Sequence, residues 1–110
     1  MNDLPIEVDV ATTQSKLRSG EVVLLDVREP VEYETARIEG SRLLPMSEIQ
    51  DRIGELAELK DKPIIVHCHH GSRSMQVTQW LRGQGFAKVQ NMAGGIQAWS
   101  EQIDPAVPVY

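Results

Sequence analysis

The stretch "IIVHCHHGSRSMQVTQWL", residues 64–81, holds the chain's one cysteine, Cys68, and its three histidines, His67, His69 and His70. A β-branched apolar run leads into the cysteine, and a helical pattern follows it. The loop between them reads His69-His70-Gly71-Ser72-Arg73. Gly71 permits a backbone turn that other residues resist. Successive amides in such a turn can point inward and form a nest for an anion. The helix that follows adds free N–H groups and the positive end of its dipole. This setting predicts that Cys68 is a thiolate more readily than a free thiol, whose pKa is about 8.5. Arg73 adds to the effect, as do His69 or His70 when protonated.

Each candidate also has a plainer reading. Free cysteines are usually small buried hydrophobes. A purely structural cysteine, however, needs no polar, glycine-containing turn that opens a helix. Arg73 as a mere surface residue would oppose the helix dipole without a reason. Asp26 and Arg28 end a strand, and a structural charge pair that fixes the neighbouring loop is preferred to a catalytic role. His67 precedes Cys68 on a strand, so it should face the opposite side and pack there. His69 and His70 are either solvated or contribute specificity and partial charge. "HCHH" invites a metal, but zinc sites need four ligands in wider, paired spacings. No second cysteine or HExxH element is present, so no metal is expected. Trp80 and Trp99 fall on helical apolar stripes and read as core. Gly94-Gly95 reads as a close strand-to-helix turn.

The elements that must position these residues follow from the pattern along the chain. "IEVDV" (6–10) reads as an edge strand, and "TTQSKLRSG" (12–20) as a short helix capped at Thr12 or Thr13. "EVVLLDV" (21–27) and "KPIIVHC" (62–68) are continuous apolar runs, as in strands buried on both faces. A helical turn is expected within 28–40 and a short strand at 41–46. Residues 47–61 open with a Ser-Glu cap signal, and Met46, Ile49, Ile53 and Leu56 share one helical face. A helix over 72–85 puts Val77, Trp80 and Leu81 on one side. A strand over 86–92 and a helix over 94–103, with Ile96, Trp99 and Ile103 on a stripe, complete the pattern. Alternation of strands and helices predicts βαβ units: an α/β protein whose mostly parallel sheet of about five strands is covered on both faces. Ligands in such sheets bind beyond the carboxyl ends of the strands. Cys68 lies at one such end, and Asp26 and Arg28 lie at another.

The chain has 110 residues, 41% hydrophobic and 25% charged, which suits one globular domain spanning 1–110. A net charge of -5 and the lack of a clustered basic face argue against nucleic acid as a partner. "MNDLPIEVDV" shows no basic leader and no long apolar segment, so neither a signal peptide nor a membrane span is expected. One cysteine excludes an internal disulfide, and a reducing cytoplasmic compartment is the expected setting.

"CHHGSRS" resembles the active-site loop of the rhodanese sulfurtransferases, in which Cys-x-x-Gly-x-Arg-Ser is common. "LLDVREPVEYETARIEGSRLLPM" is similar to that family's first signature through Asp26, Val27, Arg28, Glu32, Tyr33 and Gly40. "MAGGIQAW" resembles its closing element through Gly94, Gly95 and Trp99. Arg37 stands where the family often has His. The resemblance covers almost the whole chain and implies a stand-alone, three-layer rhodanese-like domain. It implies a thiosulfate sulfurtransferase in which Cys68 attacks the outer sulfur of thiosulfate or a similar anionic donor and carries it as a persulfide. Cyanide, a thiol or a partner protein's cysteine would accept it, with no cofactor. The amides of 69–73 would steady the anionic sulfur, Arg73 would hold the donor, and Ser72 and Ser74 would donate hydrogen bonds.

Two rival functions lack their sequence signatures here. Phosphatases related to this fold have His-Cys, five residues, then Arg. Here four residues intervene and Ser74 takes the arginine's place. A phosphate needs the larger loop to ring its oxygens. A non-catalytic binding module commonly lacks the cysteine, which this chain keeps.

Overall fold

The computed structural model describes residues 4–110, so Met1, Asn2 and Asp3 of the stretch read for a leader lie outside it. Strand β4 (Ile64–His67) is buried along its whole length. It lies between β2 (Val23–Asp26) and β5 (Val89–Met92), both parallel to it. The edges are two-residue strands: β1 (Glu7–Val8) beside β5 and β3 (Arg42–Leu43) beside β2. The order β1-β5-β4-β2-β3 makes a five-stranded, all-parallel sheet. An apolar run fits β2 and β4 because both of their faces are covered.

Side-chain alternation divides the core in two. Leu25, Val27, Ile64, Val66 and Cys68 face α3 (Ile49–Arg52), a 3₁₀ segment (Ile53–Leu59) and α4 (Ser72–Gly83), meeting Ile49, Leu56, Leu59, Val77 and Leu81. Leu24, Ile65 and Met92 face α1 (Val10–Arg18) and α5 (Gly95–Gln102), meeting Val10, Ile96 and Trp99. A one-turn-and-a-half helix, α2 (Pro30–Thr35), follows β2. The architecture is the three-layer α/β sandwich expected from the pattern.

Several boundaries differ from the sequence reading. The first helix is capped by Asp9 rather than Thr12 or Thr13, because the Asp9 carboxylate accepts the Thr12 amide at 2.8 Å. Val10 therefore belongs to α1, and β1 is short. Ser47 does not cap the segment over 47–61: its hydroxyl goes to the Glu29 carboxylate at 2.9 Å. That segment is one α-helical turn followed by 3₁₀ structure, with Gly54 near the change. Phe86, Ala87 and Lys88, read as part of a strand, precede β5. Among the described residues no helix is long and apolar enough to cross a membrane.

Candidate active site

Cys68 follows β4 directly, and α4 begins four residues later at Ser72. Gly71 occupies the cap position of α4 with φ +118, a conformation that side-chain-bearing residues rarely adopt. The turn folds the chain around the sulfur. Cys68 Sγ accepts the Gly71 amide at 3.1 Å, the Ser74 amide at 3.3 Å and the Ser74 hydroxyl at 3.2 Å. The sulfur thus takes a free first-turn amide of α4, as a capping oxygen would. The expected donors were the amides of 69–73. Gly71 is one of them, but the second amide comes from Ser74, in the first turn of the helix. The amides of His69, His70, Ser72 and Arg73 donate to no described group.

The loop's carbonyls are turned the other way by α5. The Ile96 amide donates to Cys68 O at 2.9 Å and the Gln97 amide to His69 O at 3.1 Å. These are free amides of the first turn of α5, so one helix start holds the carbonyls while another faces the sulfur. Gly95 lies against that contact: a Cβ there would stand 2.4 Å from His69 O and 2.6 Å from Cys68 O. The pair Gly94-Gly95 is therefore a close strand-to-helix turn, as expected, and Gly95 also makes room for the cysteine loop.

Sequence reasoning missed Asn91. It is fully buried on β5, and register pairs it with Val66, two residues before Cys68. Its Nδ2 donates to Glu7 Oε2 at 3.1 Å and Gly71 O at 3.2 Å, which fixes the amide's orientation. Its Oδ1 then accepts from the Ser74 hydroxyl. Ser74 has one O–H proton and three acceptors in reach: Asn91 Oδ1, Gly71 O and Cys68 Sγ. The sequence signal was a polar residue inside a run read as a strand of a sheet covered on both faces.

The charged residues form pairs around this centre. Arg28 and Asp26 are fully buried, with Arg28 Nη2 2.7 Å from Asp26 Oδ2. Arg28 also donates to Ala36 O at 2.6 Å and to the Tyr110 hydroxyl at 2.9 Å. His67 sits opposite Asp26 in register, on the face away from Cys68, as its position on the strand predicts. Its Nε2 is 3.5 Å from Asp26 Oδ2 without a hydrogen bond. Burial pushes His67 below its ordinary value, Asp26 opposing, and holds the ring neutral.

Arg73 is paired with a carboxylate. Its Nη1 and Nη2 meet Glu32 Oε1 and Oε2 at 2.7 and 2.8 Å. The Tyr110 hydroxyl donates to Glu32 Oε2 at 2.8 Å. The Arg73 hydrogen bonds bring the Glu32 carboxyl down to about 2, burial opposing. His69 is partly covered, and its ring stacks between His70, 3.9 Å away, and Tyr110, 4.0 Å away. Burial lowers His69 too, with His70 adding to the effect, so it is neutral at neutral pH and gives the loop no added cation. His70 and Ser72 are exposed, and neither hydrogen-bonds the sulfur. Arg37 is exposed, its guanidinium 5.2 Å from the Tyr33 ring centre. Among the described residues no group of three or more His, Cys, Asp and Glu is arranged to hold a metal ion.

Comparison with known proteins identifies relatives of the chain. The rhodanese-like domain family matches residues 9–102. A sulfurtransferase of Allochromatium vinosum is 35% identical over 92% of this chain and 94% of its own length. The thiosulfate sulfurtransferase GlpE of Ectopseudomonas mendocina is 39% identical over 76% of this chain and 75% of its own. Two further curated relatives are longer proteins, of which the chain spans 38% and 19%. The crystal structure of a rhodanese-related protein from Thermoplasma volcanium superposes with a TM-score of 0.82 at 30% identity, covering 96% of this chain and all of that one. With a cysteine loop between a parallel strand and a helix, and relatives matched nearly end to end, the chain belongs to the rhodanese-like sulfurtransferase family.

Proposed function

We propose that the protein moves a sulfane sulfur from thiosulfate or a similar donor to a thiophilic acceptor through a persulfide on Cys68. The Cys68 thiolate attacks the donor's outer sulfur. A new S–S bond forms at Cys68 as the donor's S–S bond breaks, and sulfite leaves with the bonding pair. An acceptor then attacks the outer sulfur of the persulfide and restores the thiolate. Cyanide serves in an assay; in the cell the acceptor is a thiol, free or on a partner protein. The two half-reactions are covalent catalysis with ping-pong kinetics, and no cofactor enters them.

The observation that carries this reading is the donor set on Cys68 Sγ: two amides and a hydroxyl within 3.3 Å. Hydrogen bonds to an ionised acceptor are roughly twice as strong as neutral ones. The persulfide's outer sulfur, one bond farther from Cβ, would take amides among His69, His70, Ser72 and Arg73. Asp26 and Arg28 act as structural support for the loop after β2, and Arg73, at the end of the cysteine loop, is the cation that would hold an anionic donor. The name of the Ectopseudomonas mendocina relative supports thiosulfate as a donor. The same reading assigns the protein to a reducing compartment such as the cytoplasm, where a free thiol persists.

The test is thiosulfate:cyanide transfer by the wild type and by Cys68→Ser, with hydrolysis of an aryl phosphate measured beside it. Transfer by the wild type, its loss in a folded Cys68→Ser variant and no phosphate release agree with the reading. A Cys68→Ser protein that keeps most of its rate refutes it.

A further inference from the structure

The arginine of the cysteine loop is already occupied. Both terminal nitrogens of Arg73 are bound by both oxygens of Glu32. A two-point carboxylate pair is the strongest arrangement a guanidinium makes with one partner. Glu32 is held in place from two further sides. The Glu29 amide donates to its Oε1 at 3.0 Å, and the Tyr110 hydroxyl donates to its Oε2 at 2.8 Å. The other nearby arginine, Arg28, is spent on buried Asp26. Stacked between His70 and Tyr110, the His69 ring is pushed toward its neutral form by burial. The surroundings of Cys68 therefore combine an anion-binding set of amides with nearly balanced side-chain charge.

We propose that Glu32 is the specificity-determining residue for donor charge: by pairing with Arg73 it withholds a cation from the approaching donor. The inference deepens the sulfurtransferase reading and rests on it. A dianion such as thiosulfate gains most from a free guanidinium, so it loses most from the pairing. A sulfane donor of the same chemistry with one negative charge, such as methanethiosulfonate or a thiol persulfide, loses less. Replacing the carboxylate by an amide keeps the shape and an acceptor for Glu29 or Tyr110, and removes the charge.

Two ratios test this in the wild type, Glu32→Gln and Tyr110→Phe. The first is kcat/KM with thiosulfate over kcat/KM with methanethiosulfonate, cyanide being the acceptor. The second is the rate of Cys68 alkylation by iodoacetate over that by iodoacetamide, which reads charge at the thiol without sulfur transfer. Both ratios are expected to rise about threefold to tenfold in Glu32→Gln, the size of one partly exposed ion pair. Tyr110→Phe, which breaks one bond to Glu32 and keeps every charge, should raise them less, and it serves as the test if Glu32→Gln does not fold. In a Glu32→Gln, Arg73→Gln double variant the rise should disappear. Ratios that stay at the wild-type value in the folded single variants overturn the role of Glu32 and leave sulfur transfer standing. Absence of transfer from both donors in the wild type overturns the sulfurtransferase reading and the donor selectivity with it.

Discussion

Replacing Ser74 by alanine removes the hydroxyl whose one proton Cys68 Sγ and buried Asn91 Oδ1 share. A hydrogen bond to an ionised group contributes about 1.5–3 kcal/mol. Ser74→Ala should therefore slow sulfur transfer by about tenfold to a hundredfold, while the two amides keep some activity. Stopped-flow measurement of the first half-reaction checks this, and an unchanged rate would remove the hydroxyl from the account. At this scale the sequence was legible where the site is local. Cys68, Gly71 and Ser74 lie within one turn and its helix, so their types and spacing imply their contacts. Cys68 is also 1% exposed and packs with Val66 and Val77, so part of the buried-hydrophobe reading applies alongside the polar one. The partners of Arg73 were not legible: Glu32 is 41 residues away, and Tyr110 reaches Glu32 across 78. No local periodicity encodes such a contact; it depends on how α2, α4 and the stretch after α5 meet in three dimensions.

Elements carry the next part of the argument, because two helix starts share the loop. Gly95→Ala would drive a methyl group into the carbonyls of Cys68 and His69, whereas at Gly20 a Cβ meets nothing within 4 Å. Both glycines have positive φ, so both alanine variants carry backbone strain. The difference between them isolates the contact. Gly95→Ala should lower both the melting temperature and the transfer rate, and Gly20→Ala only the former. Melting curves and activity assays check the pair; equal activity in the two variants would remove α5 from loop positioning. The central strands and the helix after Cys68 were legible because burial on both faces and a 3.6-residue stripe are strong signals. The cap of α1 and the nature of 47–61 were not. Asp9, Thr12 and Thr13 are all acceptable cap types, and the carboxylate that reaches the free amide decides between them. Around Gly54 the apolar spacing suits an α-helix and a 3₁₀ segment almost equally, and packing of Leu56 and Leu59 on the sheet decides.

For the molecule as a whole, the buried His67 links stability to pH. Burial holds its imidazole below the ordinary 6.5. In the unfolded chain that imidazole takes a proton as pH falls through 6.5, and in the folded protein it does not, so below 6.5 the unfolded state binds more protons. The contribution is complete above pH 6.5 and shrinks as the pH is lowered. His69, shifted the same way, adds to it. Glu32 acts in a lower window: its stabilising pair is complete above 4.5 and is lost as pH falls toward about 2. Urea unfolding between pH 7.5 and 5 should show falling stability, with a smaller slope in His67→Gln; an identical slope would mean that His67 takes up its proton equally in the folded and unfolded chain. The three-layer parallel sheet was legible at this scale from the alternation of elements, but the Asp26–His67 register across β2 and β4 was not.

The central claim is that Cys68 carries the transferred sulfur. It is tested most directly by the mass of the intact protein after incubation with excess thiosulfate or methanethiosulfonate under non-reducing conditions, and again after adding cyanide. The account predicts a gain of one sulfur atom, mapped to the peptide that contains Cys68 and removed by cyanide. An unchanged mass with both donors would contradict it.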